Sequence, residues 1–100
     1  MTKIKKYVEQ IDEELCGAKD YAEKALEYKA VGDQDRFAKY RAMANDELNH
    51  AMIVHDMAAK DIEKLKAVFP EIPQKMTDAW DASHTGYVEK TAWIKQMLAM

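Results

Sequence analysis

The chain has 100 residues, 48% hydrophobic and 33% charged, a composition suited to one core in a single domain, residues 1–100. Fifteen basic residues against 18 acidic give a net charge of −3 with no basic stripe, which excludes a nucleic-acid footprint or an anionic membrane partner. No run approaches the ~18 apolar residues of a membrane helix, and the polar amino terminus lacks the apolar centre of a signal peptide, so a cytoplasmic protein is expected. Cys16 has no partner for an internal disulfide; its helical setting predicts a small buried or half-buried hydrophobe in a reducing compartment.

In chain order, Thr2 is a fitting N-cap for a first helix over about 3–30. Its apolar series Ile4, Tyr7, Val8, Ile11, Leu15, Ala18, Ala22, Ala25 and Leu26 keeps helical spacing. Gly32 stops that helix, and Asp33 caps the next with Asp35 in its first turn. So short a connection predicts an antiparallel hairpin. The second helix, about 34–68, carries Phe37, Tyr40, Ala44, Leu48, Ala51, Val54, Ala58, Ile62, Leu65 and Phe69 on one face. At 1.5 Å per residue it spans ~50 Å. Pro70 and Pro73 end it and open a third helix, about 73–100, marked by Met76, Trp80, Ser83, Tyr87, Thr91, Ile94 and Leu98. No strand alternation or tandem repeat interrupts this pattern. The fold class is all-α, and apolar surface on so long a hairpin favours packing against another copy, a homo-oligomer.

Glu47 and His50 stand i, i+3 on the second helix, which places a carboxylate and an imidazole side by side on one flank. Such donors suit a transition metal. Glu14 lies about 60° from the centre of the first helix's buried stripe, near mid-helix, so an antiparallel hairpin brings it to the height of Glu47 and His50. A Glu from one helix with Glu-x-x-His from the next is half of a di-iron carboxylate centre in helix bundles. Glu47 lies only about 40° from its own stripe centre, where an uncompensated carboxylate is costly. The bland alternative is a salt-bridge cluster with Arg41, Lys19 or Lys24.

At these residues the chain resembles the ferritin-like superfamily, and within it the encapsulated-ferritin type, in which a short chain carries half a bundle. The half-site of that type is a glutamate, a tyrosine seven residues later, and Glu-x-x-His on the following helix; Glu14, Tyr21, Glu47 and His50 match it. The resemblance implies a di-iron centre completed by a second copy, with ferroxidase activity. It also implies that Tyr21 stands beside the metal, its hydroxyl bonding a bridging carboxylate or passing an electron. Zinc or manganese would fit the same ligands. Two features depart from the type: no shell-targeting tail follows Met100, and the third helix is not used there in the same way. Short three-helix chains of this kind also look like phage or prophage proteins, which keeps open a non-catalytic helical assembly module with a shell or phage partner.

Asp81 and His84 repeat the acid-x-x-His spacing on the third helix and are further candidate ligands, with Glu89 more distant. A histidine on an apolar face is more often a hydrogen-bonded core residue. His55, near Ala51 and Ala58, is read that way, donating to a carbonyl or carboxylate. Gly17 and Gly86, both inside helices, are expected to permit close helix approach. Tyr7, Tyr28, Phe37, Tyr40 and Trp93 are assigned to the core or an interface.

Overall fold

Apolar side chains repeating every three to four residues give each helix one sticky flank, and the fold is the way three such flanks meet. The computed structural model describes residues 2–69 and 71–100. It contains α1 (Thr2–Ala30), α2 (Gln34–Val68) and α3 (Gln74–Ala99), with no strand among the described residues. The architecture is all-α, and no helix in it is long and apolar enough to cross a membrane. The Thr2 side-chain cap and the Pro70 stop lie outside the described residues.

Backbone chemistry sets the first turn. Gly32 takes φ +80°, a left-handed conformation that glycine adopts without a Cβ penalty. Its N–H donates to the Lys29 carbonyl at 3.1 Å, and the Asp33 N–H donates to Tyr28 at 3.0 Å. This pair of bonds is the Schellman closure of a helix C-terminus. Asp33 at once caps α2: its Oδ1 accepts from the Arg36 N–H at 3.0 Å, and Oδ2 pairs with the Arg36 guanidinium at 2.7 Å. Those bonds hold the Asp33 carboxyl below the usual aspartate range. Pro73 stands just before α3, where its carbonyl accepts the Met76 N–H at 3.0 Å.

α1 and α2 run in opposite directions. Tyr28 stacks on Tyr40 near the turn, Gly17 faces Glu47 at mid-height, and Tyr7 donates to Asp61 at 2.8 Å at the far end. Lys3 joins that last pair, 2.9 Å from Asp61. The seam between the two helices is lined by alanines: Ala18, Ala22, Ala25, Ala44, Ala51 and Ala58 are all fully buried. Small side chains let the helix axes approach closely, and the bulky filling falls to Ile11, Leu15, Leu48, Val54 and Ile62. α3 adds Trp80, Ile94 and Leu98 to this core and packs chiefly on α1, meeting α2 only slightly. The result is a rod of 56 × 18 × 16 Å.

Three sequence expectations are corrected and a fourth is narrowed. Cys16 is exposed, because it sits just off the buried stripe, beside Lys19 on the flank that borders α3. Phe69 and Trp93 are 60% and 63% exposed: Phe69 is the C-cap of α2, where the stripe has run out, and Trp93 lies outside the core, which leaves the interface half of its assignment. Gly86 permits no close approach, since a Cβ there meets nothing within 4 Å. Gly86→Ala should therefore stabilise the fold by about 0.5–1 kcal/mol, the helix-propensity difference, read as a higher midpoint in thermal denaturation.

Candidate metal centre

Glu14 reaches its place because α1 turns its polar flank toward α2 one step away from the alanine seam. Cys16 and Lys19 border the groove against α3, and Glu14, two residues before Cys16, lies about 160° around the helix from it. The cluster with Glu47 and His50 therefore occupies the α1–α2 face away from α3. One donor atom from each of the three residues lies within 4.8 Å of the other two. His50 Nδ1 is 3.5 Å from Glu14 Oε2 and 3.8 Å from Glu47 Oε1. Both glutamates are partly buried, and His50 is exposed, so the face is open to solvent on the imidazole side.

Gly17 makes room for the second carboxylate. A Cβ built on Gly17 would stand 3.1 Å from Glu47 Oε2 and 3.5 Å from its Cδ. The close approach expected of this glycine is thus an approach of the Glu47 side chain. Gly17→Ala gains helix propensity yet presses on the carboxylate, so the variant should melt at or above the wild-type temperature, and on the metal reading proposed below its metal affinity should fall. Calorimetric titration beside thermal denaturation separates the two effects.

The two carboxyls are linked. A hydrogen bond with Glu14 is the largest influence on Glu47, followed by burial and the Glu14 charge; together they hold the Glu47 carboxyl above its usual value, against the opposing pull of His50. Lys19 pairs instead with Glu23 at 3.8 Å. Among the described residues, no lysine or arginine, Arg41 and Lys24 included, lies within ion-pair distance of Glu14 or Glu47.

Linkage turns this into a pH dependence. A carboxyl whose folded value is raised lends stability fully present below its unfolded value and lost as pH rises through the folded one. In metal-free protein, the melting temperature of wild type relative to Glu47→Gln should therefore fall as pH climbs above the ordinary glutamate value of 4.5. Asp33 and Asp61, both lowered by their hydrogen-bonded partners, act in the opposite sense and lose their contribution as pH falls. On the metal reading proposed below, a ligating carboxylate must be deprotonated, so affinity should rise across the same window in which the metal-free protein weakens.

The remaining candidates stand elsewhere. Tyr21 is half-buried, its ring tilted against Tyr40 at 6.1 Å, and forms no hydrogen bond with the cluster among the described residues. His84 Nδ1 lies 2.8 Å from His55 Nε2 at the contact of α3 with α2. Asp81 is exposed one turn before it, and Glu89 lines an open groove of about 400 Å³ between α1 and α3 with Cys16 and Trp93. The His55–His84 pairing is the contact sequence reasoning missed; the signal was present in two histidines on facing apolar flanks, one of them a turn from Trp80 and Tyr87. No family model, curated protein or solved structure matches this chain.

Proposed function

We propose that the chain is a ferritin-like metal-binding protein in which Glu14, Glu47 and His50 form half of a carboxylate–histidine centre, iron being the metal the donor set fits best. The observation behind this reading is the convergence of two partly buried carboxylates and an imidazole, with no lysine or arginine within ion-pair distance of the carboxylates among the described residues. Carboxylate oxygens suit Fe(III) and partly cancel its charge, and imidazole suits Fe(II), so the set fits both oxidation states; manganese or zinc is the next choice. Iron bound there would supply the one-electron chemistry of a ferroxidase. The protein's part is to hold the ligands, keep the glutamate proton exchangeable, and leave one side open.

Three protein donors leave coordination positions for a second copy. Met43, His50 and Met57 are seven residues apart and Ile53 stands three beyond His50, so they share one flank of α2. The three apolar members are 39%, 47% and 44% exposed for Met43, Ile53 and Met57. An antiparallel pairing of two copies centred on His50 would set each Met43 against the other copy's Met57, bury the stripe, and bring two half-sites together. On this reading Ile53→Glu shifts the protein toward monomer in sedimentation and lowers iron content with it.

A second reading rests on the same distances. A protonated His50 lies within ion-pair reach of both glutamates, and could serve as the cation in a non-catalytic helical assembly module, one with the phage-like character noted above. Metal analysis of protein expressed with added iron, joined to native mass measurement with and without chelator, decides between the two. Iron retained with the glutamates intact, and an oligomer weakened by chelator, support the metal centre. An unchanged copy number in protein without metal supports the assembly module.

A further inference from the structure

We propose that His55 and His84 form a second metal site, a clasp between α2 and α3 that takes a zinc- or copper-class divalent ion. Two imidazole nitrogens from different helices converge here, His55 Nε2 and His84 Nδ1, 2.8 Å apart. His55 is held firmly. Its side chain is only 12% exposed, stacks on Tyr87 at 4.2 Å and 11°, and faces Trp80 at 5.3 Å. Its other nitrogen, Nδ1, lies 3.5 Å from Asp56 Oδ1, within ion-pair reach of a carboxylate. His84 is exposed, so an ion can arrive from solvent without disturbing the core.

The distances fit an ion in place of the shared proton. Zinc–nitrogen bonds of ~2.0–2.1 Å at a tetrahedral angle separate two ligand nitrogens by about 3.3 Å, so the pair must open by roughly 0.5 Å. The exposed ring of His84 supplies that movement while His55 stays in its stack. Water completes the coordination, and Asp81, one turn before His84 on α3, is the carboxylate best placed by sequence to join it. The charged and titratable groups around the pair are Asp56 on α2 and Asp81 and Tyr87 on α3; among the described residues no lysine or arginine pairs with any of the aspartates here. Imidazole donors favour zinc, copper and nickel over the hard ions that carboxylates accept, so the two sites sort metals by ligand type. The consequence is structural, because α3 otherwise meets α2 only slightly.

The test uses the metal-free full chain carrying Glu47→Gln and His50→Gln. Those changes remove the carboxylate cluster and leave His55 and His84 as the remaining two of the three histidines. The inference predicts one Zn²⁺ per chain in calorimetric titration, a raised melting temperature, and for Cu²⁺ an electron paramagnetic resonance spectrum with two equatorial imidazole nitrogens. Adding His84→Gln, at an exposed position where the helical circular dichroism reports folding, should weaken Zn²⁺ binding roughly 100-fold or more, since loss of outer partners alone costs 10–100-fold. Binding that survives His84→Gln, a spectrum with one nitrogen, or no binding to the parent double variant would overturn the proposal. Each result is independent of whether the glutamate cluster holds iron.

Discussion

On the iron reading proposed above, Glu47→Gln should yield protein without bound iron while leaving the helical circular dichroism signal unchanged. The substitution keeps the shape of the side chain over Gly17 and removes one charge and one strong oxygen donor. Glu47 touches the rest of the cluster on each side: its Oε1 is 3.8 Å from His50 Nδ1, its Oε2 rests over Gly17, and its carboxyl is held up chiefly by Glu14. A loss of roughly 100-fold or more in affinity is expected, since even groups behind a ligand contribute 10–100-fold. Without metal the variant should hold its stability better than wild type at neutral pH, because the repulsion between two half-buried carboxylates is gone. Elemental analysis and thermal melts of the two proteins with and without Fe(II) check both halves. Iron content equal to wild type in Glu47→Gln, or in His50→Ala, would place the metal elsewhere.

Ile11→Ala should destabilise the fold by about 2–5 kcal/mol, the range for truncating a buried aliphatic side chain. Ile11 has no exposed surface, and the core cluster around it includes Ala18, Ala22, Ala44, Ala51 and Ala58, which have no rotamers with which to fill a void. Against a total stability of about 5–15 kcal/mol for a domain of this size, that loss is large. Chemical denaturation should show a lower midpoint with little change in slope. The effect on the metal centre is expected to be indirect: Glu14 is three residues from Ile11 on the same helix, and a loosened seam lets the two ligand-bearing flanks drift apart. Val54→Ala, which removes two methyl groups, should cost less.

The helices and the turn between the first two were legible because each is written locally. The glycine, the capping aspartate and the three-to-four spacing need no knowledge of the partner helix. Glu47 and His50 were legible for the same reason, being fixed by spacing on one helix, and Glu14 followed once the short connection set the relative height. What could not be read was rotation. Whether Cys16 or Trp93 points inward depends on which flank of α1 the third helix chooses, and a stripe shared by two neighbours is wider and less sharply centred than one. His55 showed an apolar setting but not its partner, since residues 55 and 84 meet only after α3 has folded back. Gly17 was read as a place of close helix approach; what comes close is the Glu47 side chain, and nothing in the sequence said so.

The turn at Gly32 also decides when the glutamate and histidine donors come together. It joins α1 to α2 over a handful of residues, so pairing can start beside the turn, where Tyr28 meets Tyr40, and extend stepwise to the height of residues 14, 47 and 50. All three side chains lie within α1 and α2, Thr2–Val68, so their convergence draws on no residue of α3. On the metal reading proposed above, the half-site would therefore survive the loss of α3 contacts, which join a scaffold already set.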